Sequence, residues 1–468
     1  MPGLMSKKKG AAARADWTLA SASFVCLIWL VQSLALTAQN PAADRPRQQL
    51  NLKHAIELAL QHNRQIRLAQ LATAESREKL AIARSHYYPH IANESTATYL
   101  TDLQGVVLPA GALAHSPSTG LLPAETLRIG QGAHDAFTSG TGLLQPLTQL
   151  VKIHAGDKAA QADVKTAQIT EEDAENSITL LVYKLYFGIL TAQAQLKAGQ
   201  SAVAAAEKKE EESRRAVAEG RALAVASLQS HAELLDQQQT VLKTRLSVDD
   251  LALQLDDALG FPLGTQLDLD SDVLADEPLL PSRAEAMESV LEHNSKVLEA
   301  QQTVEKAKAG LVAARAAYIP NITGMARYSY QSGVPFFSHN FGTFGGLVTY
   351  DLFEGGERQA EVREARIRLE MAQTQLEQVK SEQSIAMAAA YDQVEVLRQL
   401  VTVAAEALRT RVEAARISQE RLQQNAEMPS QTAKSQADVA GEQALVLQAQ
   451  LGLILAQRNI RQILGERP

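Results

Sequence analysis

From Leu52 onward apolar side chains recur every three to four residues, through Leu52, Ala55, Ile56, Ala59, Leu60, Ile66, Ala69 and Ala72. That period predicts a helix over Leu52 to Tyr88, stopped by Pro89. The pattern then becomes glycine-bearing alternation across residues 90–147, which predicts a β-hairpin interrupted by a Gly/Pro/Ser-bearing loop from Gly105 to Gly132. Helical spacing returns from about Leu150 to Ala218, and at 1.5 Å per residue these 69 residues reach roughly 100 Å. The apolar seam of this helix runs through Val164, Ala167, Glu171, Ala174, Ile178, Leu181 and Leu185, the spacing of a coiled-coil contact. Glu219-Gly220-Arg221 reverses the chain, and a return helix covers about Ala226 to Leu259.

This design occurs twice. With Pro89 set on Pro320, a shift of 231, His62-Asn63 falls on His293-Asn294, Ala83-Arg84 on Ala314-Arg315, Tyr87 on Tyr318 and Tyr99 on Tyr330, without a gap. Beyond the hairpin the shift is 205, because the first hairpin is 26 residues longer; Leu147 then pairs with Leu352, Gly220 with Asn425, and Leu259-Gly260 with Leu464-Gly465. The second half therefore holds a hairpin over 320–352, Leu352-Phe353-Glu354-Gly355-Gly356 launching the next long helix, and a seam of Leu369, Ala372, Leu376, Val379, Gln383, Ala386 and Ala390. Its tip lies near Asn425-Ala426-Glu427-Met428-Pro429, and its return helix spans about Ser430 to Leu464. Glycine and asparagine suit left-handed turn positions, and Gly355-Gly356 is read as such a turn between strand and helix. A repeat of about 200 residues is too long for a solenoid, so 39–260 and 282–468 are read as two halves of one domain, joined by a solvated linker at 261–281.

Aromatic content of 4% is low for large packed cores, whereas abundant Ala, Leu, Gln, Glu and Arg favour long helices. Residues 1–38 have the make-up of an export signal: Lys7, Lys8, Lys9 and Arg14, an apolar run from Trp17 to Leu36, and a cleavage candidate at Ala35-Leu36-Thr37-Ala38. Cys26 is the sole cysteine and falls inside that segment, so a cleaved chain has no disulfide. Cleavage removes four cations and one anion and takes the formal charge from −8 to −11, which argues against nucleic acid as a partner. No later stretch is read as a transmembrane helix, which leaves a periplasmic, secreted or β-strand membrane protein.

The second hairpin favours membrane strands. Ile322, Gly324, Ala326, Tyr328 and Tyr330 share one face, with Asn321, Thr323, Arg327, Ser329 and Gln331 on the other beside Met325. In the return strand Gly342, Phe344, Gly346, Val348, Tyr350 and Leu352 share a face. Strands of about ten residues with aromatics on the apolar side match outer-membrane barrels. Four strands cannot close a barrel, which takes about eight, and open edges are not tolerated in lipid; a membrane reading requires an oligomer.

Catalytic signatures are absent: there is no GxSxG, P-loop, HExxH or complete GxGxxG, and Gly130-Gln131-Gly132 lacks the third glycine. His86 and His90 have metal-pair spacing, but Pro89 breaks the helix between them. A calcium loop at Asp268, Asp270 and Asp272 would need glycine and glutamate where Val273 and Leu279 stand. No metal, cofactor or enzyme activity is expected. The charge runs Lys208 to Glu212 and Arg363 to Glu370 are read as solvated helix faces.

Taken together, the ungapped repeat, the helix-to-strand junctions Tyr87-Tyr88-Pro89 and Tyr318-Ile319-Pro320, the Leu352-Phe353-Glu354-Gly355-Gly356 turn, and the closing Leu259-Gly260 and Leu464-Gly465 resemble the TolC-like outer membrane efflux proteins. The resemblance covers nearly all of the chain beyond the export signal. It implies a mainly α fold with a β-barrel sector: long coiled-coil hairpins, four transmembrane strands per chain, and a homotrimer with a twelve-stranded barrel and a periplasmic helical tunnel. It also implies a passive exit duct in the bacterial outer membrane, engaged by a periplasmic adaptor and an inner-membrane pump, gated where the helices reverse. The implied tip residues are Gly220, Arg221, Ala226, Asn425, Glu427, Gln431 and Lys434. In the best-known member acidic residues ring the entrance six and nine positions past the second turn; this chain has Gln431 and Lys434 there, Glu427 at the place of a basic gate residue, and Ala226 at the sixth position past Gly220. Three residues follow Gly465, where some members carry a longer tail. The competing expectation is a periplasmic coiled-coil scaffold or adaptor without a channel.

Overall fold

The computed structural model describes residues 47–102, 105–130, 133–270, 280–333 and 338–466. The expected export signal with Cys26, and Asp272, Val273 and Leu279, lie outside the described residues. In chain order the first half holds β1 (Arg47–Leu50), α1 (Leu52–His62), α2 (Arg64–Ser85), β2 (His90–Tyr99), β3 (Gly105–Leu108), β4 (Ala114–Ser116), β5 (Gly120–Leu122), β6 (Leu127–Gly130), β7 (Asp135–Pro146), α3 (Leu150–Ala218) and α4 (Ala224–Leu259). There follow β8 (Gln266–Leu269), α5 (Arg283–His293), α6 (Ser295–Ala316), β9 (Asn321–Ser332), β10 (Asn340–Thr349), α7 (Glu357–Gln423) and α8 (Pro429–Ile463). Two units result: one of residues 47–49 with Thr265–Asp268, where β1 pairs with β8, and one of Leu50–Gly264 with the described residues from Leu269 on. The stretch read as a solvated linker thus contains a strand. Four residues alternating between aspartate neighbours were too short a signal to separate from a loop.

The helix expected over Leu52 to Tyr88 is two helices. Asn63 interrupts it with an extended backbone, φ −68° and ψ 129°, and Asn294 does the same between α5 and α6 at φ −64° and ψ 130°. Each asparagine works in two directions. Asn63 Oδ1 accepts from the Gln65 N–H at 2.8 Å, starting α2, while its Nδ2 donates to Ala258 O at 3.1 Å near the end of α4. Asn294 Oδ1 accepts from Lys296 N–H at 3.0 Å, and its Nδ2 donates to Ile463 O at 2.8 Å at the end of α8. One side chain therefore satisfies an orphan donor of one helix and an orphan acceptor of another. Glycine follows at each return-helix end because space and backbone both require it: Gly260 has φ +75° with a Cβ there 3.0 Å from His62 Cβ, and Gly465 has φ +73° with a Cβ only 2.4 Å from His293 O.

Two tyrosines repeat this symmetry. The Tyr186 hydroxyl lies 2.9 Å from Leu50 O and 2.8 Å from Asp270 O, and Tyr391 donates to Pro281 O at 2.8 Å. Around Tyr391 a core of Ala286, Val290, Met387, Val394, Leu453 and Ile460 seals α5, α7 and α8 together. The repeat-equivalent residues Ala55, Ala59, Val182, Ile189 and Leu255 are buried in the first half. Each fully buried valine, leucine, isoleucine or methionine among them contributes about 1.5–3 kcal/mol. The expected seams are buried or half-buried, with one correction: Leu181 turns outward at 37% exposure.

α3 and α8 each contain a stretch long and apolar enough to cross a bilayer, which the sequence reading passed over. The two run antiparallel and cover one another, as shown by Ser177 with Gln462 at 3.1 Å, Arg458 over the Tyr183 ring at 5.1 Å, and Gln195 with Gln448 at 3.3 Å.

Both hairpins join one antiparallel sheet of order β10-β9-β7-β2. The loop between β2 and β7 is folded, with β3 on β6 and β4 on β5. Short paired strands of three and four residues explain why it reads as a loop.

Candidate functional site

The sheet has two chemically different faces because register places alternating residues together. Gly342 opposes Tyr328, Phe344 opposes Ala326 and Val348 opposes Ile322, so the apolar sets of β9 and β10 coincide. On this face of β2 and β7, Asn93, Ser95, Ser139 and Thr141 hydrogen-bond one another, Asn93 Nδ2 donating to Thr141 Oγ1 at 2.9 Å. The other face carries Thr96, Thr138, Ser329 and Gln331, together with Glu94 and Arg327. Tyr350 and Leu352 fall beyond the end of β10.

At the junctions, Tyr87 follows α2 with its hydroxyl 3.2 Å from His154 Nδ1, and its carbonyl accepts from Gln145 Nε2 at 3.2 Å. Pro89 directly precedes β2. Thr148 binds the two halves together: its hydroxyl donates to Pro320 O at 2.6 Å and accepts from Ile322 N–H at 2.8 Å. Tyr318 closes the end of α6 by donating its N–H to Arg315 O at 3.2 Å. Gly355 and Gly356 take φ +60° and +91°, a left-handed turn into α7. Arg358 in the first turn of that helix pairs with Glu354 at 2.8 Å and lies 4.5 Å from the Tyr350 ring centre.

Both helix reversals use one backbone device. The Arg221 N–H bonds to Ala216 O at 2.8 Å and Gly220 N–H to Val217 O at 3.0 Å; Ala426 N–H bonds to Arg421 O at 2.8 Å and Asn425 N–H to Leu422 O at 3.0 Å. These are the paired bonds of a Schellman motif, whose central residue is left-handed. Gly220 has φ +72° and Asn425 φ +54°, the sole non-glycine positive φ among the described residues. Side chains differ more. Arg221 pairs with Glu219, whereas Glu427 folds back to accept from Ser418 Oγ at 2.7 Å. Glu212 of α3 caps the start of α8, accepting from the Ser430 N–H at 2.8 Å and from the Ser430 hydroxyl. Nearby, Arg214 at 2.6 Å holds the Glu210 carboxyl below the usual carboxylate range, with His231 Nδ1 at 3.1 Å on the same oxygen.

An open groove of about 730 Å³ brings Arg221, Gln431 and Lys434 together with Lys209, Glu212 and Arg215. Gly220 and Asn425 sit in the reversals and Ala226 in the first turn of α4, all three outside it. The charge run read as solvated ends at Glu212, which is instead the cap of α8; Ser418 and Ser430 were not read from the sequence, and Ser430 and Glu212 are 218 positions apart.

A family model described as "Outer membrane efflux protein" matches residues 55–261 and 286–466, one segment for each half. The chain belongs to the outer membrane efflux protein family. Solved structures with the same fold include CusC (17% identity, 89% of this chain and 92% of that one, TM-score 0.70) and the outer membrane protein VceC from Vibrio cholerae (18%, 89% and 96%, 0.69). The Neisseria gonorrhoeae MtrE outer membrane channel, in its open state, is similar at 18% identity over 89% of both chains with a TM-score of 0.70. As an outer membrane efflux protein the chain is mainly helical with a strand sector, its sheet in the outer membrane and its long helices periplasmic.

Proposed function

We propose that three copies of this chain form a passive, gated exit duct of a tripartite efflux or type I secretion system, carrying solutes from periplasm to exterior without catalysis or cofactor. The observation that carries this reading is the sheet order: β10 and β2 are both open edges. Lipid does not tolerate unpaired strand edges, and four strands are too few to close, so β2 of one copy pairs with β10 of the next until twelve strands form a barrel. The helices agree. Leu228, Leu235, Leu242, Leu246 and Leu253 form an exposed stripe along α4, and α7 leaves Ile385, Val396 and Val403 exposed. Such stripes call for a neighbouring helix.

In this account residues 1–38 are an export signal, 39–260 and 282–468 are the two repeats, and 261–281 joins them. Tyr87, Pro89, Tyr318, Pro320, Gly355 and Gly356 set the change from helical tunnel to barrel. Gly220, Arg221, Ala226, Asn425, Glu427, Gln431 and Lys434 form the periplasmic gate, where an adaptor and an inner-membrane pump dock. Opening separates the α7–α8 pair from the α3–α4 pair and breaks the Glu212–Ser430 cap. Outer membrane lipid surrounds the barrel, and nucleic acid is not a partner.

Single cysteines placed along β2 and β10 test the assembly. Crosslinks running from β2 of one copy to β10 of another, in a ladder that stops at three, are expected; a ladder stopping at two, or no crosslink between these strands, contradicts it.

A further inference from the structure

Inside the four long strands, away from their first residues, one anion and one cation occur: Glu94 on β2 and Arg327 on β9. They are not on adjacent strands. Register places Glu94 opposite Gly140 of β7, and Gly140 opposite Ser329 of β9, with all three on the polar face. The Arg327 side chain crosses β7 to reach Glu94, Nη1 donating to Oε2 at 3.3 Å. It passes directly over Gly140: a Cβ built there would stand 2.5 Å from Arg327 Nε and 2.6 Å from Nη2. Gly142, on the same strand and face, has nothing within 4 Å of such a Cβ. The absence of a side chain at 140 is therefore used by the guanidinium, and the one at 142 is not.

Charged side chains on the lipid side of a barrel are costly, and the opposite face already carries Tyr328, Phe344 and Val348. The pair accordingly faces water. An exposed ion pair is a weak staple, but rings of like-charged side chains around a pore act on the ions that pass it.

We propose that Glu94, Gly140 and Arg327 set the charge of the strand-lined lumen: Arg327 lies flat across Gly140 to neutralise Glu94, and three such pairs leave the lumen indifferent to the sign of small ions. This deepens, and rests on, the three-copy duct. Removing either partner would expose a ring of three like charges.

The test is single-channel recording of full-length protein at about 0.01 M salt, where the screening length is about 30 Å. Because the helical tips lie in series, blockers are added on the strand side: hexamminecobalt(III) as cation and ferrocyanide as anion. Arg327→Gln is expected to gain block by the cation, Glu94→Gln to gain block by the anion, and wild type and Gly142→Ala to show neither. Gly140→Ala displaces only the mobile end of Arg327, so it should assemble normally and lose conductance as the guanidinium swings into the lumen. The double exchange Glu94→Arg with Arg327→Glu should restore wild-type behaviour. Wild-type channels with no block in either single variant overturn the inference and leave the duct standing. If wild type forms no channels, the duct reading fails and this inference with it.

Discussion

At the asparagine breaks the two repeats are built alike; at the tips they part. Asn63 and Asn294, Gly260 and Gly465, and Tyr186 and Tyr391 perform the same bonds at the same offsets. The tips share only their backbone turn. The first sets Arg221 against Glu219, while the second folds Glu427 inward and hands its α8 terminus to Glu212 of the first repeat. Duplication thus persists where a carbonyl or a left-handed φ leaves one chemical solution, and it lapses where side chains face outward and can serve different neighbours. The Glu212–Ser430 cap also makes the tips asymmetric and ties the first half to the second there.

The largest effects are expected at the return-helix glycines. Gly465→Ala sets a Cβ 2.4 Å from a backbone oxygen, which cannot yield cheaply, whereas Gly260→Ala meets the His62 side chain at 3.0 Å. Both incur the left-handed penalty of about 1–2 kcal/mol. Thermal unfolding in detergent should show the larger loss for Gly465→Ala; equal losses would mean that the close approach to His293 O contributes nothing.

Next are the asparagines. Asn63→Ala and Asn294→Ala each remove an N-cap, about 1 kcal/mol, and orphan a carbonyl on the returning helix, about 1–3 kcal/mol more. Similar losses in the two repeats are expected, and a loss confined to one would end the claim of equivalence.

These breaks mark where sequence reading stops. The repeat was legible because Pro89 and Pro320 punctuate it and the 3.6-residue period runs uninterrupted through α3, whose ends at Leu150 and Ala218 are visible as changes of pattern. A helix broken at one residue leaves the apolar period intact, so Asn63 and Asn294 looked like ordinary helix positions. The reversals were legible through Gly220 and Asn425, residues that take positive φ. The Glu212–Ser430 cap and the Glu94–Arg327 pair were not, because each depends on tertiary register between residues more than 200 positions apart.

The smallest effect is that of pH. Burial pushes the Tyr186 phenol up to about 12 and raises that of Tyr391 as well. An unfolded tyrosine ionises near 10, so the stabilisation is complete below about pH 10 and is lost as pH rises through the folded value. Tyr186→Phe should remove part of this alkaline loss while costing about 1 kcal/mol at neutral pH; Tyr391→Phe should do the same more weakly. Unchanged alkaline melting in both variants would show that neither phenol couples folding to pH.

Single-channel conductance of the detergent-purified protein in a planar bilayer, wild type against Gln431→Asp plus Lys434→Asp, is the sharpest test of a three-copy duct gated at these tips. The expected result is discrete channels from a trimer, with selectivity moving toward cations in the double variant as the exposed tip gains two carboxylates per copy and loses an ammonium. Protein extracted without detergent that forms no channels, or trimer channels whose selectivity ignores the double substitution, would contradict the account.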